Sequence, residues 1–187
     1  MILGAAWRRY HPRMHRDPGS GTPTPTLADV QESSYRSASP ATRHAWPRGS
    51  ALDAVEIATL LRVRRYAVLA TTRPDGRPHA APVAFVETGR RIWMASMAGA
   101  ARTANLRRQP SASLVITGPR DDDDHAALVV EGPVRIHDDP GPLLDGFLRD
   151  LWRERFGSEL EWAETILELT PTKVLSHGHG TPIGDVS

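Results

Sequence analysis

The sequence predicts a mainly β fold, a closed antiparallel barrel with helices appended to it. Short β-rich runs recur between turn signals from residue 66 onward, and two helical segments interrupt them. The chain has 187 residues, 40% of them apolar, which is enough for the core of one domain and tight for two. The order of the elements alone leaves several kinds of barrel open.

The N-terminal part has a different composition from the rest. Residues 1–49 are rich in Pro, Gly, Ser, Thr, Arg and His and show no apolar period, so we expect a disordered extension there. Residues 1–50 hold seven Arg against three acidic residues, while the whole chain carries a net charge of +1. The remainder is therefore net acidic, which argues against nucleic-acid binding.

Several classes of function are disfavoured by composition. There is no cysteine, hence no disulfide framework, thiolate metal site or cysteine nucleophile. No run is as long as a secretory apolar region or a membrane span, so we expect a soluble, cytoplasmic protein that does not bind membranes.

The folded part is expected to begin with a helix over residues 51–63. Ser50 is a suitable N-cap, and Asp53 follows three residues later in a capping-box pattern. The helical apolar stripe consists of Val55, Ile57, Leu60 and Leu61.

Three strands follow as a meander. The runs at residues 66–71 and 79–86 flank a Pro-Asp-Gly turn at 73–76, which is a strong hairpin signal. A second turn at 87–89 leads to a third strand over 91–96.

The middle of the chain predicts a short helix between strands. Residues 101–109 favour a helix that Pro110 ends, and 111–117 predict a fourth strand. Residues 127–136 predict a fifth strand with a bulge at Gly132. The loop between these strands contains four consecutive Asp, but it lacks the EF-hand spacing and is interpreted as a solvated hairpin tip.

The last part predicts one helix over 142–155, a β-rich segment over 162–169, and a strand that resumes at 173–175. His177 and His179 are placed on a loop without a third ligand nearby, so no metal site is predicted. The domain is expected to end at 178, with 179–187 as a tail.

Three segments carry a family resemblance: residues 68–78 (VLATTRPDGRP), the pair Pro82-Val83, and residues 96–110 with the text RTANLRRQP. Together they resemble the pyridoxamine 5′-phosphate oxidase-like, FMN-binding split-barrel family, particularly its small bacterial members that use FMN or coenzyme F420. The resemblance covers about residues 55–178. It implies a split antiparallel β-barrel over 50–178 and a flavin in a groove between the subunits of a homodimer.

An anion site is expected where the short middle helix begins. The turn at 99–101 exposes free backbone N–H groups and the positive helix end, and Arg102 and Thr103 add a guanidinium and a hydroxyl. The resemblance assigns the flavin phosphate to Arg102, although many relatives carry a second basic residue where this chain has Ala100. The full set of cofactor-binding residues that the resemblance implies is His79, Ala81, Pro82, Val83, Ser96, Ala101, Arg102, Thr103 and Asn105.

The resemblance implies an oxidoreductase that binds FMN or F420 and transfers a hydride to or from a small organic substrate. No catalytic side chain is assigned, because the cofactor supplies the redox chemistry. Pyridoxamine phosphate oxidation itself is not expected, since no Arg-containing segment follows Leu169. The alternative is a non-catalytic flavin- or haem-binding sensor, with His177 or His137 as axial ligand. The tryptophans Trp93, Trp152 and Trp162 are expected in the core or at a dimer interface.

Overall fold

The computed structural model describes residues 26–88, 90–118 and 125–179. Within these ranges the helices are α1 Leu27–Ser37, α2 Pro40–Ala45, α3 Ala54–Val63, α4 Ala101–Arg108, α5 Gly141–Leu144 and α6 Phe147–Phe156, with a 3₁₀ turn at Arg48–Ser50. The strands are β1 Tyr66–Thr72, β2 Pro78–Thr88, β3 Arg91–Ser96, β4 Ser111–Thr117, β5 His125–His137, β6 Thr165–Leu169 and β7 Lys173–His179. The four Asp of the expected hairpin tip lie outside the described residues.

Six antiparallel strands close into a barrel in the order β4-β1-β2-β3-β6-β5, and β5 pairs back onto β4. The seventh strand, β7, pairs with the first half of β5, whereas β6 pairs with its second half. The interior is filled by large apolar side chains such as Leu69, Phe85 and Leu128. The predicted split antiparallel barrel is confirmed.

The first hairpin forms as expected. In its turn the Asp75 carboxylate accepts the backbone N–H of Arg77 at 3.1 Å, and Gly76 has a φ of 83°, which favours glycine. Strands β3 and β4 have the predicted bounds, and β1, β2 and β5 each extend further than predicted.

The expected bulge at Gly132 is wrong. The β4–β5 register runs without interruption through Ala112 opposite Gly132 and Ser111 opposite Pro133. Instead, a Cβ at Gly132 would overlap the carbonyl oxygen of Thr170, where the chain passes from β6 to β7. The absence of a side chain at Gly132 therefore lets the backbone of Thr170 come close. Gly132 lies between the part of β5 that pairs with β7 and the part that pairs with β6.

The start of α3 was misplaced by three residues. Asp53, not Ser50, is the N-cap: its carboxylate accepts the N–H groups of Val55 and Glu56 at 2.8 Å, and Glu56 reaches back to the Asp53 N–H. Glu56 is the third helical residue and completes the capping box of Asp53. The predicted box of Ser50 and Asp53 does not form, because residues 51–53 are not helical.

For residues 26–49 the expectation of disorder is wrong, and residues 1–25 lie outside the described part. A capping box of Thr26 and Asp29 starts α1, and Tyr35 is buried on its inner side. This helix covers the free edge of β7: the Val174 N–H donates to Ser34 Oγ at 2.9 Å, and the Tyr35 hydroxyl donates to the Ser176 carbonyl at 3.0 Å. Covering an edge strand prevents pairing with other chains.

The helix predicted over 142–155 is divided at Asp145–Gly146 into α5 and α6. Leu148 and Trp152 on α6 are buried against the outer face of β3 and β6, beside Trp93 and Ile166. Trp93 and Trp152 are thus core residues, whereas Trp162 is 50% exposed.

His177 and His179 lie in β7 and not on a loop. Among the described helices, none combines the length and the apolar character needed to cross a bilayer.

Candidate functional site

The site predicted from the sequence lies where α4 begins. Ala100 is the N-cap, and no side-chain hydrogen bond caps the helix there. The N–H groups of the first turn, from Ala101 to Thr103, lack intrahelical acceptors because a helix has none at this end. With the positive end of the helix dipole, these groups favour an anion in front of α4.

Three of the predicted residues form one hydrogen-bonded chain. Arg102 Nε donates to Ser96 Oγ at 2.9 Å, Ser96 Oγ lies 2.9 Å from Thr103 Oγ1, and Thr103 Oγ1 donates to the Met97 carbonyl at 3.0 Å. Ser96 Oγ also lies 3.4 Å from the Met97 carbonyl, so either hydroxyl can donate to the other while the second donates to Met97. These hydrogen bonds hold the Arg102 side chain through Nε. The two terminal nitrogens of its guanidinium are left for another partner. Partial burial lowers the pKa of the Arg102 guanidinium, which nevertheless stays charged at neutral pH.

A second chain joins His79 on β2 to Asn105 on α4 through Thr71 on β1. Asn105 Nδ2 donates to Thr71 Oγ1 at 3.0 Å, and Thr71 Oγ1 lies 3.3 Å from His79 Nδ1. Asn105 and Thr71 are both buried, so in this chain Asn105 holds α4 against the hairpin. Thr71 was not among the predicted site residues, although it lies inside the segment 68–78 that carries the family resemblance.

The β2 residues of the predicted site lie on an open stretch of backbone. Residues 78–84 of β2 pair with β1, and in the described structure the pairing with β3 begins only at Phe85 opposite Met94. Continued by two residues, this register would set Val83 opposite Ser96. The β3-facing edge of β2 is therefore unpaired beside Ser96. Because the Phe85 N–H donates to the Arg65 carbonyl on the β1 side, the alternation of an antiparallel strand leaves the backbone groups of Ala80 and Ala84, and the carbonyl of Pro82, at this open edge, while those of Ala81 and Val83 face β1.

The side chains of these β2 residues face different ways. Val83 is buried in the barrel core, Ala81 is half-buried, and Pro82 is exposed on the outer face. A ligand at this edge would therefore meet mainly backbone N–H and C=O groups.

Glu164 is a polar residue near the site that sequence analysis did not find. Its carboxylate accepts the backbone N–H of Ala98 at 2.8 Å, in the turn that leads into α4. The contact shows that this turn offers a donor to an anionic group. Only the fold brings Glu164 here, from 66 residues further along the chain.

A cleft of about 310 Å³ lies beside β1 and β4. Thr71, which is hydrogen-bonded to His79 and Asn105, is one of its lining residues. Its lining consists of Ala70, Thr71, Thr72, Pro78, Gln109, Ser111, Ala112, Ser113 and Glu131. Arg102 and the start of α4 are not part of it, because the cleft lies near the other end of that helix. Arg102 itself is half-buried, and its partners Ser96 and Thr103 are buried.

A separate polar cluster lies at the opposite end of β3. The Glu168 carboxylate on β6 is 3% exposed, pairs with Arg91, and contacts His137 Nε2 at 2.7 Å. Burial, with the charges of Arg135 and Arg91, lowers the pKa of His137. An ionised carboxylate can only accept a hydrogen bond, so His137 Nε2 carries a proton and donates it to Glu168.

The strand order and the closed barrel define a split-barrel protein. The sequence matches the profile of the family described as pyridoxamine 5′-phosphate oxidase over residues 54–178. The chain belongs to this family. Comparison with curated protein sequences gives no match.

Three solved structures illustrate the similarity of fold. Rv2991 of Mycobacterium tuberculosis is 22% identical, with a TM-score of 0.61 over 72% of this chain and 89% of that one. HutZ, the haem storage protein of Vibrio cholerae, is 21% identical, with a TM-score of 0.57 over 68% and 96%. A protein named F420 reductase is 24% identical, with a TM-score of 0.50 over 62% and 93%.

Proposed function

We propose that this protein is an oxidoreductase that binds FMN or coenzyme F420 and transfers a hydride between the cofactor and a small organic substrate. The proposal is supported by one arrangement: the start of α4, which has no side-chain cap and therefore free N–H donors, lies beside an unpaired strand edge. A phosphorylated, planar cofactor has both an anionic group and a ring with polar atoms, and so matches the two features.

The phosphate would bind in front of α4. Arg102 is oriented by Ser96 and can offer two terminal nitrogens to one phosphate, and the N–H groups of Ala101 and Thr103 add donors. The small side chains of Ala100 and Ala101 allow an anion to come close to the backbone.

The isoalloxazine or deazaflavin ring would lie along β2 between His79 and Val83. The unpaired backbone groups of this stretch would contact the polar edge of the ring, and Ser96 would lie near the ribityl chain. The bound cofactor supplies hydride chemistry, while these residues bind and orient it.

A homodimer would complete the site, because the family resemblance implies a cofactor held in a groove between two subunits. An apolar row supports this part of the proposal: the cross-strand registers align Pro82, Val68, Val115 and Val129 on the outer face of the barrel. Val68 is 44% exposed, and a two-fold interface over this row would cover it.

The structure of HutZ makes haem binding a second candidate, and the two proposed axial ligands differ in suitability. His137 uses Nε2 for Glu168 and its ring lies 5.9 Å from Trp93. His177 uses Nδ1 for Ser50 at 2.9 Å, which leaves Nε2 for another partner. His177 is therefore the residue to test for haem.

The absorption spectrum of the freshly purified protein, followed by titration with FMN, F420 and haemin, tests the proposal. We expect saturable binding of FMN or F420 at one cofactor per chain. Binding of haemin alone, abolished by His177→Ala, would replace the oxidoreductase proposal with the haem alternative. Binding of none of the three would refute both.

A further inference from the structure

Two histidines come together at the end of the β5–β7 pair, outside the site described above. The rings of His125 on β5 and His177 on β7 have their centroids 5.2 Å apart, with their planes inclined by 30°. His125 is exposed and His177 is half-buried. The contact arises from strand pairing, since Ala127 lies opposite His177 and His125 lies opposite His179.

The hydrogen bonds of Ser50 define the tautomer of His177. The Ser50 hydroxyl donates its proton to the Pro47 carbonyl at 3.0 Å, so Ser50 Oγ accepts from His177 Nδ1 at 2.9 Å. With Nδ1 donating to Ser50, Nε2 is the ring nitrogen left for another partner. Metal-binding histidines are commonly oriented in this way, with one ring nitrogen donating to an outer partner.

The distance between the rings also fits a shared metal ion. Two imidazoles that bind one tetrahedral ion through bonds of about 2.0 Å have their ring centroids about 5 Å apart. Two histidines held by paired strands keep this distance without a flexible loop. We propose that His125 and His177 form a binding site for a divalent transition-metal ion, with Ser50 as the positioning residue.

The remaining coordination positions would be open. Among the described side chains, no group of three or more His, Asp or Glu is arranged to hold a metal, so water would complete the coordination shell. The ring separation of 5.2 Å fits the tetrahedral angle of Zn²⁺ better than the right angles of tetragonal Cu²⁺. Cu²⁺ has the highest general affinity for imidazole ligands and is therefore the most sensitive probe of the site. The site shares no residue with the proposed FMN or F420 site, so it does not depend on that proposal. It does share His177 with the haem alternative.

The test is a calorimetric Cu²⁺ titration of the full chain, prepared without a histidine tag. We expect His177→Ala and His125→Ala each to remove one Cu²⁺ per chain or weaken its binding at least about tenfold. Ser50→Ala should weaken it by about tenfold, the lower end of the range for outer-shell partners. The matched control is His44→Ala, an exposed histidine on α2, which should leave this binding unchanged.

Two further measurements keep the outcome clear. Thermal unfolding of each variant shows that it folds. The variant His177→Gln keeps a polar partner for Ser50 but loses the imidazole, so its Cu²⁺ binding should be lost as in His177→Ala. FMN and F420 titrations of the same variants should be unaltered. Equal Cu²⁺ binding by the wild type and both alanine variants would overturn the proposal, as would an equal loss in His44→Ala.

Discussion

The two ends of strand β3 hold polar clusters of opposite character. At the end that precedes α4, Ser96 is joined to Arg102 and Thr103, and no side chain caps the N–H groups of the helix. At the other end, near Arg91, the Glu168 carboxylate is buried and matched by Arg91 and His137. The first cluster has donors to spare, whereas in the second the charge of the carboxylate is already neutralised.

The comparison shows that burial of a charged group is not by itself a sign of function. A buried carboxylate is costly unless it is paired, so the Glu168 cluster is expected to contribute to stability and uniqueness of packing. An open cluster of donors at a helix start gains little stability and is suited to an external anion. Variants at the two ends should therefore affect different measurements.

The largest stability effect is expected at the closed end. Arg91→Ala leaves the Glu168 carboxylate with only His137 as partner, and we expect a loss of about 2–3 kcal/mol in the free energy of unfolding. The value lies below that of a fully buried pair because Arg91 is 55% exposed. Urea denaturation provides the measurement.

The matched control for Arg91 is Arg77→Ala. Its ion pair with Asp75 is exposed on both sides and should leave the unfolding free energy nearly unchanged. If both arginine variants were equally stable, the Glu168 cluster would not be the stabilising element described here.

A pH-dependent effect is expected from Glu87, which is close in sequence to the same end of β3. Burial raises the pKa of Glu87 from 4.5 to about 7, opposed by the charge of Arg155. The folded state therefore binds a proton that the unfolded state releases, and stability falls as pH rises from about 4.5 to 7.

Glu87→Gln should remove this dependence. Relative to the wild type, the variant should gain stability on the order of 2 kcal/mol between pH 5 and pH 8, measured by urea denaturation at each pH. Other titrating groups cancel in the difference. A constant difference across this range would show that Glu87 is ionised in the folded protein throughout.

A smaller stability effect is expected at the open end. Ser96→Ala removes the hydroxyl that joins Arg102 to Thr103, which should cost about 1 kcal/mol in unfolding free energy. Cofactor affinity should also fall, because Arg102 loses its orientation. Thr117→Ala, an exposed hydroxyl on β4, is the control and should change neither quantity. Unaltered affinity in Ser96→Ala would separate Ser96 from the cofactor site.

The strands of the barrel could be predicted because short segments of the sequence specify them. The Pro-Asp-Gly turn and the alternating strands at 91–96 and 111–117 needed no tertiary knowledge. The N-terminal helix α1 was missed because its composition resembles that of disordered segments, although Thr26 and Asp29 are a capping box and Leu27, Val30, Ser34 and Tyr35 recur at helical spacing. Its stability depends on contacts with β7, more than 130 residues away.

The site was predictable in part. Arg102 and Thr103 were found because a turn followed by a helix start is a local pattern, and their hydrogen-bonded link to Ser96 followed from the structure. The partners Thr71 and Glu164 depend on how β1 and β6 pack around α4, which no short segment specifies. The same holds for Gly132. A glycine inside a strand pattern suggested a bulge, but its actual cause is the close approach of the Thr170 backbone, which the sequence does not show.

The most direct test of the central claim is a titration of the protein and its Arg102→Ala variant with FMN and with F420. Arg108→Ala is the matched control, an exposed arginine in the last turn of the same helix. We predict that Arg102→Ala loses about 1.5–3 kcal/mol of affinity for the cofactor that binds, with Arg108→Ala unchanged and both variants folded. Equal affinity in wild type and Arg102→Ala would place the phosphate elsewhere and contradict the proposed site.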